Sequence, residues 1–242
     1  SLNFHMSLEG TDLDKLALST EKLLTGTDSK ITTVGYYCNP IQYAEHRKTL
    51  ENVICTAGKF GATHVSTFAG AWEGKPVESA YEEFGKVFRE LADLAEEKGV
   101  KLGIENCLMD GTWEHATCNI GFNPKAWEVM FEEVKNDNFG LEWEPTHQMV
   151  QLIDPVTELR KWCKKIVHIH GKDATIDWDA VRHSGISGAV PFVWHRMPGF
   201  GDTNWRDIIS ILRSNGYEDD ICIEGYHDPV YSGELEMTGQ LH

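Results

Sequence analysis

The most constraining feature of the chain is a regular alternation of strand-like and helix-like segments along its 242 residues. Runs rich in β-branched and aromatic residues are typical of buried strands, and they are bounded by glycine, proline or polar residues. The predicted strands are ITTVGYY (31–37), HVSTFAG (64–70), KLGIENC (101–107), FGLEWEP (139–145), IVHIHGKD (166–173) and DICIEGY (220–226). This alternation predicts an α/β fold built from repeated βα units around a parallel sheet.

Helical segments are predicted between the strands, and no Pro/Ser-rich linker divides the chain, so we expect a single domain over residues 1–242. The predicted helices cover residues 41–59, 76–98, 124–135, 155–165, 204–215 and part of 12–24. Two long connections, 108–123 and 174–203, each follow the carboxyl end of a predicted strand. Loops of that kind build the active-site face of an α/β barrel.

The charge balance excludes several classes of partner. Lys and Arg number 22 against 38 Asp and Glu, which gives a formal net charge of −16 and disfavours nucleic acid and anionic membrane surfaces. The sequence has neither an apolar run of membrane-spanning length nor a secretory signal at residues 1–20. We therefore predict a cytoplasmic protein. Its six cysteines form no CxxC pair and are predicted to be reduced thiols.

Four of the last five predicted strands end in a residue that can bind a metal. These residues are Glu105 in GIENC, Glu144 in EWEPTH, His170 in HIHGKD and Glu224 in CIEGYHDP. A single glutamate at a strand end is more often a helix cap or a solvated residue, but the carboxyl ends of barrel strands converge on one mouth. Three carboxylates and one imidazole favour a divalent ion: Mn²⁺ first, with Mg²⁺, Co²⁺ and Zn²⁺ as alternatives.

The same residues suggest a chemistry. A bound ion with open coordination positions polarises a sugar carbonyl and acidifies the neighbouring C–H bond. Enolisation also needs a base and an acid, and Glu105 and Glu224 are the candidates. Candidate substrate-binding residues are His147, Lys172, Arg196 and, in the connection 108–123, Trp113. Asp173 is more simply explained as a helix cap.

Alternation along the strands predicts a second group of polar residues. Residues two positions before a ligand share its side of the strand, and these include Lys101, Glu142 and His168. We expect these three to form a buried layer that orients the ligands; the alternative is that they are simply solvated.

The ordered motifs GIENC, EWEPTH, VHIHGKDA, HRMPGFGDTNW and CIEGYHDP resemble the sugar phosphate isomerase/epimerase family over about residues 31–230. These proteins are xylose isomerase-like TIM barrels that include ketose 3-epimerases, inosose dehydratases and, more distantly, endonuclease IV. The resemblance implies a TIM (β/α)8-type barrel with Glu105, His170 and Glu224 as metal ligands and His147 on the substrate. Glu144 stands where the family has a metal-binding aspartate, and Arg196 matches the family's substrate arginine only approximately.

The resemblance also implies a barrel that is truncated. Residues 1–30 have room for one short strand, LNFHM (2–6), where the family has two, and the sequence stops before the family's last helix. We therefore expect a single barrel domain over residues 1–242 that is incomplete at both ends.

The leading functional prediction is a metal-dependent isomerase or epimerase acting on a sugar or cyclitol. A dehydratase on the same scaffold begins with the same proton abstraction, so the sequence leaves it open. A non-catalytic sugar-binding barrel also stays open because of Glu144, whereas the charge of −16 disfavours an apurinic endonuclease. A homo-oligomer is compatible with the sequence.

Overall fold

The computed structural model describes residues 1–225 and 227–241. The chain forms two compact units. The first comprises Ser1–Trp143 and Lys165–His168, and the second comprises Glu144–Lys164 and Ile169–His242. Strand β6 (Ile166–Gly171) contributes its first half to the first unit and its second half to the second.

The first unit is built on a parallel sheet. Its strands, in the order in which they pair, are β1 (Leu2–His5), β2 (Thr33–Tyr37), β3 (His64–Thr67), β4 (Lys101–Glu105), β5 (Phe139–Trp143) and the first half of β6. Strands β2, β3 and β5 are buried along their whole length. Continuous burial is typical of parallel strands covered on both faces, and in β3 (HVST) and β5 (FGLEW) it includes polar side chains as well as apolar ones.

Helices connect these strands. They are α1 (Leu13–Leu24), α2 (Ala44–Thr56), α3 (Tyr81–Glu97) and α4 (Pro124–Glu133). The apolar residues of α3 recur at helical spacing, and Phe84 and Phe88 stack with ring centroids 4.6 Å apart. The carboxylate of Asp12 and the amide of Asn123 each accept a backbone N–H at the start of a helix, α1 and α4 respectively.

The second unit contains shorter elements. They are α5 (Pro145–Met149), α6 (Pro155–Trp162), the second half of β6, β7 (Asp173–Ile176), α7 (Trp178–Ser184), β8 (Val193–Arg196), α8 (Trp205–Ser214), β9 (Ile221–Ile223) and α9 (Glu236–Leu241). Strand β9 pairs in parallel with β6, and β7 and β8 form an antiparallel hairpin. No helix in the described part of the chain has the length and apolar character needed to span a membrane.

Most predicted elements are confirmed within a few residues at their ends, including the short strand at residues 2–6. The connection 174–203 differs from the prediction, because it holds β8, α7 and most of β7 rather than an irregular loop. The strands of this hairpin have four residues each and α7 buries none of its residues. Such elements carry no long apolar period in the sequence, so pattern alone does not reveal them.

The cysteines give a prediction for labelling experiments. All six lie in the described residues as free thiols, with Cys55 exposed and Cys38, Cys118 and Cys163 buried. Burial raises the pKa of Cys38 to about 12 and that of Cys118 to about 11, so the reactive thiolate is scarce there. We expect Cys55 to react first with a thiol reagent, in a fast phase that is lost in Cys55→Ser. Labelling of Cys38 in the folded protein as fast as Cys55 would contradict this.

Candidate metal and substrate site

Three predicted metal ligands meet in the second unit. Glu144 lies between β5 and α5. Pro145 is the first residue of α5, where a backbone N–H would have no partner within the helix, so proline is tolerated there. His170 lies near the end of β6, and Glu224 comes directly after β9. One ligand atom from each of Glu144, His170 and Glu224 lies within 4.8 Å of the others.

Glu144 is the most buried of the three, with none of its surface exposed. Its carboxylate oxygens lie 3.3 Å from His147 Nε2, 3.7 Å from His170 Nδ1 and 3.7 Å from Lys172 Nζ. Burial alone raises the pKa of the carboxyl, but the charges of His147 and Lys172 outweigh it and lower the pKa. Glu144 is therefore held in the carboxylate form that a metal requires.

Lys172 is 2% exposed, and its ammonium group faces the same carboxylates. Its Nζ donates to Glu224 Oε1 at 2.6 Å, and His170 Nδ1 lies 3.2 Å from Glu224 Oε2. Burial alone raises the pKa of Glu224, but the hydrogen bond with His170 and the charge of Lys172 outweigh this effect, so the pKa lies below its usual value. Because a buried ammonium group is stable only when it is paired, Lys172 is fixed beside Glu224.

The donor set fits a divalent cation. Glu144 and Glu224 offer carboxylate oxygens, and His170 offers an imidazole nitrogen. Mixed carboxylate and imidazole ligands suit Mn²⁺, Co²⁺ or Zn²⁺. The residues present are therefore suited to hold such an ion.

The predicted substrate residues are placed differently from one another. His147 and Lys172 both lie against Glu144. Arg196, at the end of β8, uses its Nε to donate to Asp228 Oδ2 at 3.1 Å. Asp228 is buried and also accepts the backbone N–H of Met197 at 2.8 Å, so it ties Arg196 to the segment after β9.

Asp173 has a role that the sequence did not reveal. Its buried carboxylate accepts four backbone N–H groups at 2.8 to 3.1 Å, those of Ala174, Gly199, Gly201 and Thr203. At Gly201 a Cβ atom would lie 2.5 Å from Asp173 Oδ1, so only glycine permits this approach. The carboxylate thus organises the PGFGDT segment rather than capping a short helix, and Asp177 caps α7 instead.

The remaining two predicted site residues lie in the first unit. Glu105 is the buried last residue of β4. Trp113 is half-buried in the connection 108–123, where its Nε1 donates to Glu78 Oε1 and its ring meets Phe122 edge-on at 6.5 Å. The roles assigned to Glu105 and Trp113 stay predictions.

The predicted second group of polar residues forms in part. Glu142 is fully buried in the first unit, where it accepts the hydroxyl of Tyr37 at 2.9 Å and that of Ser66 at 2.5 Å. His168 Nε2 lies 3.8 Å from Glu142 Oε1. The prediction of burial is wrong for Lys101, which is exposed at the start of β4, because the strand only enters the core at its second residue.

Two histidines that the sequence analysis did not single out lie near the ligands. His227 Nδ1 is 3.9 Å from Glu224 Oε1, and its ring lies 5.2 Å from that of His195, centroid to centroid. His227 was visible in the motif GYHDP, three residues after a predicted ligand. His195 was visible as the first residue of the motif HRMPGFGDTNW, but its orientation depends on the β7–β8 hairpin, which the sequence pattern does not show.

A family model for xylose isomerase-like TIM barrels matches residues 4–240, which is almost the whole chain. The chain belongs to this family. Its parallel βα architecture agrees with that membership. The α/β TIM-barrel class predicted from the sequence is therefore confirmed.

Relatives of known name also match. An inosose dehydratase from Clostridium tetani is 26% identical over 172 residues, which cover 69% of this chain and 55% of the relative. The chain thus spans a little over half the length of the curated relatives it first matches. Among solved structures, the IolI protein with a zinc atom has a TM-score of 0.66 at 21% identity, covering 97% of this chain and 78% of that one. L-ribulose 3-epimerase has a TM-score of 0.63 at 16% identity, covering 99% and 75%.

Proposed function

We propose that the protein is a divalent-metal-dependent isomerase or epimerase that acts on a sugar or cyclitol by removing a proton next to a carbonyl. The observation that carries the proposal is the group formed by the buried Glu144 and His170 and the half-buried Glu224, with Lys172 and His147 against it. A solved neighbour of this fold is described with a bound zinc atom, which supports a metal. Mn²⁺ remains the ion we would test first, and the cytoplasmic location stays a prediction.

Glu224 is proposed as one of the two acid/base groups. Lys172 donates to its carboxylate at 2.6 Å and keeps it ionised, so that it is ready to accept a proton from carbon. The metal, when bound, supplies the polarisation of the substrate carbonyl that acidifies this proton. His147, 13% exposed beside Glu144, is proposed to hold a substrate hydroxyl.

Glu105 is proposed as the second acid/base group, on the sequence resemblance and on its burial at the end of β4. In an epimerisation, one glutamate removes the proton from one face of the carbon and the other returns a proton to the opposite face. Arg196 and Trp113 remain proposed substrate contacts on the sequence argument alone.

The second candidate is an inosose-type dehydratase, which the named relative favours. The first step is identical: the C–H proton passes to a glutamate. The β-hydroxyl then leaves as water with a proton from the second acid, and a C=C bond remains. Because both reactions need the same groups, the residues of the site do not choose between them.

The two reactions are separated by incubating the Mn²⁺-loaded protein with inosose and with L-ribulose in D₂O and recording NMR spectra. Deuterium at the carbon next to the carbonyl, with no loss of water, supports epimerisation, whereas an unsaturated product supports dehydration. Glu105→Gln and Glu224→Gln should each lower the rate by about 10²- to 10⁴-fold. Glu218→Gln, at an exposed position of the second unit, is the control. Sugar binding without exchange or product, with Mn²⁺, Mg²⁺, Co²⁺ or Zn²⁺, would instead support a non-catalytic barrel.

A further inference from the structure

The register of the β7–β8 hairpin divides its side chains between two faces. His195 pairs with Ala174 and Arg196 pairs with Asp173, and directly opposed residues of an antiparallel pair share a face. Lys172 directly precedes β7, and the charges of Lys172 and Glu144 both act on the imidazole of His195, so this ring lies near them. Arg196 lies on the other face, bound to Asp228.

The surroundings of His195 agree with this placement. Its ring contacts that of His227, whose Nδ1 lies 3.9 Å from Glu224 Oε1. Burial lowers the pKa of His195 to about 4, and the charge of Lys172 adds to this effect while Glu144 opposes it. The imidazole is therefore neutral near pH 7, with one nitrogen that donates a hydrogen bond and one that accepts.

One nitrogen of this ring lacks a partner. His195 Nδ1 is buried, and no hydrogen-bonding group of the described residues reaches it. A buried polar atom without a partner destabilises a protein by about 1–3 kcal/mol. A ligand that supplies the missing partner would recover this energy on binding.

We propose that His195 is a substrate-binding residue, whose imidazole forms a hydrogen bond with a hydroxyl of the sugar or cyclitol held beside Lys172 and Glu224. The inference rests on the proposed function and adds a contact that the sequence did not assign. A hydroxyl both donates and accepts, which matches either nitrogen of a neutral imidazole. A phosphate matches less well, because Lys172 is already paired with Glu224 and Glu144.

The test compares His195→Phe, His195→Asn and Trp194→Phe. Phenylalanine fills the space without a hydrogen-bonding atom, whereas asparagine keeps a polar atom near the position of Nδ1. Trp194 is the matched control, because it is adjacent in β8, has its side chain on the other face and is 47% exposed. Calorimetry measures binding of Mn²⁺ alone and then of inosose and L-ribulose to each Mn²⁺-loaded protein, and steady-state kinetics give KM and kcat.

We expect His195→Phe to weaken sugar binding and raise KM by about tenfold, as loss of one hydrogen bond implies. Its Mn²⁺ affinity and kcat should stay within about threefold of the parent, His195→Asn should recover part of the sugar affinity, and Trp194→Phe should behave as the parent. Unchanged sugar affinity in His195→Phe would overturn the proposal, as would loss of Mn²⁺ binding or failure of the parent to bind either sugar. A parent that binds sugar without turnover would contradict the proposed function but not the His195 contact.

Discussion

Replacing Glu144 with alanine is expected to weaken Mn²⁺ binding by at least about 100-fold. Loss of a residue that only orients a metal ligand costs about 10- to 100-fold in affinity, and loss of a ligand should cost no less. The effect should be large here because Glu144 is fully buried and its oxygens face His147, His170 and Lys172. Without the Glu144 carboxylate, Glu224 would be the one proposed carboxylate ligand of the second unit, and it is already paired with Lys172.

Calorimetric titration with Mn²⁺ and with Zn²⁺ measures the effect, with Glu218→Ala as a control for the loss of an exposed carboxylate. Glu144→Asp is the informative third variant, since the family resemblance places an aspartate there. Its carboxylate retracts by about one C–C bond, and we expect an affinity between those of the parent and Glu144→Ala. Metal binding by Glu144→Ala with the affinity of the parent, in a variant that melts cooperatively, would remove Glu144 from the ligand set.

The fold was largely predictable because its main strands are short, buried and bounded by clear signals. Parallel strands covered on both faces are rich in apolar and aromatic residues, so β2 and β5 are visible in the sequence even though β5 contains the buried Glu142. The hairpin β7–β8 and α7 were missed because most of their residues lie at the surface or only half-buried. Where burial does not select the residues, periodicity is absent and the sequence carries little information about local structure.

The residues of the candidate site could be predicted where they lie at the ends of strands that the sequence pattern shows. Glu144, His170 and Glu224 were found because each lies at the end of a recognisable strand. The roles of Asp173 and His195 depend instead on the register of a hairpin and on the path of a glycine-rich segment. Tertiary contacts of this kind connect residues about 20 to 30 positions apart, and no local pattern encodes them.

Replacing Asp173 with alanine is expected to lower the free energy of unfolding by at least about 3 kcal/mol. Hydrogen bonds to a charged group contribute about 1.5–3 kcal/mol each, and removal of the carboxylate leaves four backbone N–H groups without their acceptor. The contributions are not additive, because the PGFGDT segment can move and take up water. This carboxylate is fully buried, however, so relaxation cannot recover the whole loss.

Asp177→Ala is the matched control on the same hairpin. Asp177 accepts one backbone N–H, that of Ala180 at 2.8 Å, as the N-cap of α7, and its loss should cost only about 1 kcal/mol. Denaturant unfolding gives the two free energies, and amide hydrogen exchange reports the local effect. Gly199, Gly201 and Thr203 should lose protection in Asp173→Ala and keep it in Asp177→Ala. Equal destabilisation by the two variants would show that the four-fold acceptor does not hold this segment.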